Sequence, residues 1–365
     1  MSASNAIRFL QNNAGTDERS LALKMYWGSV VEAFRAESLL FDSTIPAIER
    51  KTVTSGKSWQ FLMMADTPDP EDHTPGDELL GQPYAIDEGT ITADDFLVAH
   101  QDVPLDQMHF AHFDILAKLG MKNGKRLARK FDRRLFQTAV LAARTAALTH
   151  AATGLTVHNG GNVVNRTGSA TITTAYAATP AGASLLRADL AELAYNMDID
   201  FVPPGDRYIV LHSHLRRVLT KDAGHVFGTT ANYTNASPLT SNITNSNPNM
   251  RQFAEIEGFK ILGFANFQSE NGSLPDTSVV ETGNQSKYTV DCSGAATSTT
   301  NKPVAYAFAG GGEGMAGIGM VTFQGIVPHM EEDARRNTMF TKAQMLCGAG
   351  VLHPWCVGTV GISAS

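Results

Sequence analysis

Between Ser58 and Ala117 the chain has no lysine or arginine, although thirteen aspartates and glutamates fall in that stretch. Charge is scarce throughout, at 18% of residues, against roughly 25% in ordinary soluble domains. Cysteine is scarce too: Cys292, Cys347 and Cys356 are an odd number and form no Cys-x-x-Cys pair. That suggests neither a disulfide framework nor a cysteine zinc site and leaves three thiols expected to be buried. No apolar run reaches the roughly 18 residues a transmembrane helix needs. The opening residues lack the basic-then-apolar pattern of a secretory leader, so the expectation is a reducing cytosol and no membrane partner. A formal charge of −7 and a pI near 5.9 argue against a free-standing nucleic-acid binder.

What is present is apolar residue in quantity. With 365 residues, 43% of them hydrophobic, the chain can bury one large core or two to three smaller ones. A surface poor in charge fits a protein much of whose exterior is covered by copies of itself.

The pattern along the chain is mixed. Leu21 to Glu37 predicts a helix, with Leu21, Met25, Val31 and Phe34 on one face and Trp27 and Val30 widening it. Residues 49–65 are β-rich around a Ser55-Gly56 turn, and Tyr84 to Ala99 returns as strand. This long hairpin has no core of its own and needs cover from elsewhere. The region from Pro104 to Ala152 is the longest helical stretch, with Gly120, Asn123 and Gly124 placed to bend or interrupt it. Residues 153–180 read as a polar connection. A helix over Ala183–Met197, a strand over Tyr208–Leu211, a short helix from His214, and strands over Ile256–Phe264, 303–328 and Val357–Ile362 complete an α+β chain. Met330 to Gln344 reads as strand mixed with short helix. The loops 225–248 and 268–301 are long and polar, and the sequence assigns them no role.

The charge layout is polar in the electrostatic sense. After the acidic stretch, Lys118 to Arg134 holds eight basic residues and one acid, Asp132. Lys122, Arg126, Arg129 and Arg133 share one helical stripe. Solvated charge is the plain reading of such runs. The sharper one has the acidic excursion lying on basic patches of neighbouring copies, and the stripe facing phosphate without regard to base sequence.

Catalytic patterns are missing. Gly312-x-Gly314-x-x-Gly317 matches a dinucleotide fingerprint only if a helix opens on it, and the following IGMVTFQGIV predicts strand. His109 with His112, and His212 with His214, lack further ligands at metal-binding intervals. No nucleophile elbow, zincin motif or Walker loop occurs. The expectation is no enzyme, no cofactor and no metal. Two other readings are weighed: a nucleotide-dependent enzyme using residues 310–319, and an adhesin built on the Asn/Ser/Thr-rich loops.

Several stretches together resemble the major capsid proteins of tailed bacteriophages, which share the Hong Kong 97 capsid fold; the likeness is greatest to the short-tailed podovirus branch, the autographivirus type. The stretches are Gly28–Phe34, then Thr54–Ser58 with Gln60-Phe61, then His73–Leu79. Further along are His112–Ile115 with Gly124, Leu127, Ala128 and Asp132, then Tyr195–Tyr208 including Val202–Arg207. Glu331–Arg336 with Gly348, Gly350, Leu352, Pro354 and Gly358 closes the set. The order spans about nine-tenths of the chain.

The resemblance implies an N-terminal arm with helix (1–48), an extended β-hairpin loop, or E-loop (49–100), a peripheral domain with the spine helix (101–180 and 305–365) and an axial domain (181–304). It implies hexamers and pentamers closing an icosahedral head around double-stranded DNA, with a scaffolding protein and a portal during assembly in the host cytoplasm. Lys57, Asp77 and Glu78 are the implied subunit contacts in the extended loop. Lys122, Arg126, Arg129 and Arg133 are the implied inner face near DNA. Lys57 is expected to form no covalent cross-link. A nanocompartment shell of the same fold is the close alternative.

Overall fold

The computed structural model describes residues 12–13, 16–41, 45, 47–65, 72–73, 78, 81–104, 115–169, 171–219, 255–265, 280–294, 299–310, 315–333 and 336–364. In chain order the elements are β1 (Asn12–Asn13), β2 (Thr16–Asp17), α1 (Glu18–Glu37), β3 (Ile48–Thr52), β4 (Ser58–Met64), β5 (Ile86–Thr92) and β6 (Asp95–Pro104). They continue with α2 (Ile115–Ala143), β7 (Leu148–Thr149), β8 (Thr156–His158), β9 (Asn162–Arg166), α3 (Ile172–Ala175), α4 (Pro180–Ile199), β10 (Arg207–His212) and α5 (Ser213–Leu219). The last are β11 (Glu255–Ile256), β12 (Phe259–Ala265), β13 (Lys302–Ala309), β14 (Ile318–Asp333), β15 (Thr338–Val351) and β16 (Val357–Ile362). Two units divide the chain: residues 1–42, 94–132 and 322–347 form one, and 43–93, 133–321 and 348–365 the other.

In the first unit α1 lies along the first half of α2. The two glycines expected to bend α2 do something else, for the helix is unbroken from Ile115 to Ala143. A Cβ at Gly120 would strike the Ser29 side chain, and one at Gly124 would meet the Val30 carbonyl and Ala33. The glycines are there to let the helices approach. Tyr26 and Ser29 sit at Gly120, Val30 at Gly124 and Glu37 at Arg129, so the two helices run in the same direction. Phe34, Phe41 and Phe131 form an aromatic triangle with ring centroids 5.0, 5.7 and 5.9 Å apart, each pair adding to simple burial. The buried face of α1 carries Tyr26, Val30, Ala33 and Phe34, whereas Met25 and Trp27 are half exposed. In the same unit β14, β15 and β6 lie side by side, and β6 pairs antiparallel with β15 from Thr338↔Pro104 to Cys347↔Asp95. Met330 to Gln344, expected to mix strand with helix, is strand up to Asp333 and again from Thr338, with a turn at Arg336-Asn337 and no helix among the described residues.

The second unit is built on a six-stranded mixed sheet in the order β11-β12-β10-β13-β16-β9. Its interior strands β13 and β16 are near-continuous apolar sequence, and every residue of β16 is buried, as expected for strands covered on both faces. On one face, Leu186, Leu190, Leu193 and Met197 of α4 pack with Ile209, Ala305 and Val360. On the other, Phe136 from the later half of α2 lies 4.8 Å from Tyr306 and 6.3 Å from Phe308. Helix α4 starts three residues earlier than its apolar period indicates. Thr179 accepts a hydrogen bond from Gly182 N at 3.2 Å and Pro180 fills the first turn, where its missing N–H costs nothing. The residues read as polar connection supply β8, β9 and α3. Among these elements Arg166 Nε donates to Asp189 at 2.8 Å, and Tyr176 Oη donates to the same carboxylate at 2.6 Å.

Candidate functional site

The strands β4 and β5 pair in strict register from Ser58↔Thr92 to Met64↔Ile86, a two-stranded ribbon. Residues directly opposite share a face, so Trp59, Phe61 and Met63 look one way and Gln60, Leu62 and Met64 the other. The first set is partly buried by residues of the same unit. Trp59 and Phe61 pack with Ile91, Ala93, Ala316, Val321 and Leu352; Met63 packs with Ala65, Ala85, Leu155 and Val157. The hairpin therefore has cover from its own chain on one face, which the sequence reading did not provide for. The Phe61 ring occupies the space over Gly89 that a side chain would need.

The other face is open. Leu62 is 65% exposed, Met64 60% and Ile86 42%, and Tyr84, just before β5, is 72% exposed. Glu88 stands opposite Leu62 and is exposed as well. Large apolar groups gathered on one side of a ribbon mark a contact surface, where single exposed ones would not.

Two of the three expected contact residues are among the described ones. Lys57 is exposed in the Thr54–Lys57 bend at the ribbon's root, where its carbonyl accepts from Ala93 N at 2.7 Å. The turn around Ser55 has Gly56 at φ 75°, a conformation glycine adopts without strain. Glu78 is exposed in the connection at the ribbon's far end, and Asp77 lies outside the described residues. The structure does not bring Lys57 and Glu78 together. The apolar outer face went unread because Leu62-Met63-Met64 is a continuous apolar run; its signal was that such a run in a two-stranded ribbon must expose every second member.

The basic stripe is where helical periodicity placed it. Lys122, Arg126 and Arg129 are exposed on α2, and Arg133 is half-buried. Arg129 is already paired, its guanidinium 2.9 Å from Glu37 Oε1. Two members of the 118–134 charge run turn inward. Asp132 is buried and accepts from Ser38 Oγ at 2.6 Å, Leu39 N at 2.8 Å and Leu40 N at 3.4 Å. Arg134 is buried against the Tyr288 ring, 4.6 Å from its centroid, with Glu281 at 3.2 Å.

No chemistry gathers elsewhere among the described residues. No group of three or more His, Cys, Asp or Glu is placed to hold a metal ion. His214 Nε2 is 3.0 Å from the Tyr176 carbonyl, and the His214 backbone N–H donates to His212 Nδ1 at 3.1 Å; the His109 and His112 pair lies outside the described residues. Gly317 is followed by strand β14, not by a phosphate-binding helix; Gly312 and Gly314 lie outside the described residues. All three cysteines are buried thiols. Burial pushes Cys292 up to about 11 and Cys356 up to about 12, so neither is a thiolate nucleophile at neutral pH. No described helix is long and apolar enough to cross a membrane.

The architecture is that of shell-forming capsid subunits. The cyanophage P-SCSP1u capsid structure superposes with a TM-score of 0.64 at 23% identity, covering 100% of both chains. The mature capsid of bacteriophage PhiM1 gives 0.61 at 14% identity, over 87% of this chain and 86% of that one. Mycobacterium phage Che8 gives 0.51 at 13% identity, over 84% and 85%. No curated protein sequence matches at a significant level. A family model described as "Gp10A-like: Major capsid protein" matches residues 61–360. The chain belongs to that family: it is a major capsid protein with the Hong Kong 97-like fold, a structural subunit of a phage head and not an enzyme. Such proteins assemble into multimeric shells, and the virion capsid is where this one resides.

Proposed function

We propose that copies of this chain form hexamers and pentamers that close an icosahedral head around double-stranded DNA, and that the β4–β5 ribbon carries the contact from one copy to the next. The observation behind this is the ribbon's open face: Leu62, Met64, Ile86 and Tyr84 are exposed on an element whose opposite face is already packed on its own chain. Burying four such side chains against a neighbour removes apolar area worth about 1.5–3 kcal/mol for each one fully covered. Lys57, Asp77 and Glu78 add polar contacts at the two ends of the same excursion and fix register more than affinity. The basic stripe of Lys122, Arg126, Arg129 and Arg133 faces the packaged DNA and meets it through phosphates alone. The remaining organisation follows the capsid family: an arm over residues 1–48, the extended loop over 49–100, a peripheral domain over 101–180 and 305–365, and an axial domain over 181–304. A scaffolding protein and a portal take part during assembly in the host cytoplasm.

The test is electron microscopy of particles from the full chain and from a Leu62→Ser, Met64→Ser variant. The parent chain gives closed shells. The variant, folded as judged by circular dichroism, stays as unassembled subunits. Closed shells from the variant at parental yield would refute the ribbon's role.

A further inference from the structure

The segment Glu281 to Val290 falls in a stretch of polar sequence to which the sequence reading assigns no role. It contains a short 3-10 helix, Gly283–Tyr288, and closes on itself: Glu281 N donates to Thr289 Oγ1 at 3.1 Å, and that hydroxyl lies 3.4 Å from the Glu281 carbonyl. Its last helical residues reach the root of the ribbon. Lys287 Nζ donates to the carbonyl of Thr92, the final residue of β5, at 3.1 Å and lies 3.3 Å from the Thr92 hydroxyl. The neighbouring Ala93 N–H closes the root onto Lys57.

Tyr288 supplies the second anchor. It is 1% exposed, and its hydroxyl accepts from Ala349 N at 2.9 Å and lies 3.4 Å from the Ala349 carbonyl. One residue earlier, Gly348 approaches the Thr92 carbonyl so closely that a Cβ has no room. Arg134 lies over the Tyr288 ring, held by Glu281 at 3.2 Å, and Lys287 Nζ is 5.1 Å from the same ring. Two cations, a carboxylate and a tyrosine are thus concentrated where one strand of the ribbon ends. Holding a carbonyl with an ammonium is a charge-assisted bond, stronger than the neutral bonds of the ladder. A two-stranded ribbon is marginal by itself; this one is covered on one face through Trp59, Phe61 and Met63, and the root contacts add a polar anchor where that cover begins.

We propose that residues 281–290 are a buttress that fixes the direction in which the β4–β5 ribbon leaves its unit, with Lys287 and Tyr288 as positioning residues for the contact between copies. The inference rests on the reading that the ribbon makes that contact. The angle at the root determines where Leu62 and Met64 arrive on a neighbour, and therefore how uniform the shells are.

The experiment is amide hydrogen exchange on the unassembled full chain, followed by particle sizing of the same preparations. Lys287→Met speeds exchange at residues 57–65 and 86–94 on the order of tenfold, the loss of one charged hydrogen bond, while β13 and β16 keep parental rates. Lys287→Arg, which still donates to the carbonyl, restores slow exchange. Tyr288→Phe, which removes only the hydroxyl, reproduces part of the effect and guards against a misfolded Lys287 variant. Particles from Lys287→Met show a broader spread of diameters. Parental exchange in both Lys287→Met and Tyr288→Phe would overturn the buttress, as would faster exchange with parental particle size and yield. The Leu62→Ser, Met64→Ser variant separates the two ideas: if it blocks assembly while Lys287→Met exchanges like the parent, the ribbon reading stands and the buttress falls.

Discussion

Asn123 Nδ2 donates a hydrogen bond of 2.9 Å to Tyr26 Oη, joining α2 to α1 inside a buried helix–helix seam. Both residues are fully buried, and the bond lies between the two glycines that allow the helices to touch. Burial raises the Tyr26 hydroxyl above its ordinary range, with Asn123 and Thr341 opposing that through hydrogen bonds; the group stays a neutral phenol in the folded unit.

The seam makes glycines on the two helices respond in opposite directions. Gly124→Ala places a methyl against the Val30 carbonyl and Ala33, with a cost of about 1–3 kcal/mol from overpacking. Gly28→Ala, on α1 with nothing within 4 Å, gains about 0.5–1 kcal/mol from helix propensity. Urea midpoints of the two variants fall on opposite sides of the parent.

Asp132 holds the exit of α1 by accepting from Ser38 Oγ and from the Leu39 and Leu40 amides. Asp132→Ala leaves those donors buried without their acceptor and costs about 2–4 kcal/mol. Limited proteolysis shows the difference directly, with cleavage appearing after Ser38 in the variant and not in the parent.

Asp189 takes two bonds from Arg166 and one from Tyr176. Asp189→Ala strands a half-buried guanidinium and a buried hydroxyl and costs about 3 kcal/mol or more. Arg166→Lys keeps the charge but loses the planar two-pronged fit, so thermal unfolding places it between parent and Asp189→Ala.

The buried thiols give the unit an alkaline limit. Burial lifts Cys292 from 9.0 to about 11 and Cys356 to about 12, so above pH 9 the unfolded chain releases these protons first. Their contribution to stability is intact below pH 9 and is lost as pH climbs through the folded values. Denaturant midpoints measured from pH 8 upward fall over this window, and the native chain resists a thiol reagent at neutral pH until it is unfolded.

Lys122→Gln with Arg126→Gln removes two exposed members of the stripe without touching the bond between Arg129 and Glu37. DNA retention by shells falls for every sequence alike, and the dependence on salt shallows by up to about two phosphate contacts. Retention that changes with base composition, or not at all, would refute phosphate contact by this stripe.

Much of the fold is readable because its period is simple. Val357–Ile362 is strand with the bounds that its apolar run predicts; α1 and α4 each open three residues earlier than expected, and the buried face of α1 runs through Tyr26 and Ala33 where Met25 and Trp27 were expected. Gly120 and Gly124 mislead because a glycine that bends a helix and one that admits a neighbour look alike until the neighbour is known. Met330–Gln344 misleads in part because Glu331 and Glu332, charged residues of good helix propensity, sit at the end of β14, and propensity yields to pairing. At the candidate site the charges can be located from the sequence alone, since a helical stripe fixes which cations share a face. The apolar face of the ribbon and the Lys287–Thr92 contact cannot, because each depends on which distant residue is brought opposite.

Strand β16 sits between β13 and β9, antiparallel to one and parallel to the other. Both of its partners are synthesised earlier, β9 nearly two hundred residues before. A nascent chain still on the ribosome short of residue 357 therefore carries two hydrogen-bonding edges with nothing between them, and pairing across such a separation in sequence is slow. Unpaired edges recruit other chains indiscriminately. Translation of this one hexapeptide is thus a checkpoint, dividing the interval when the polypeptide is prone to aggregate from the time when it can join its sister copies in an ordered way.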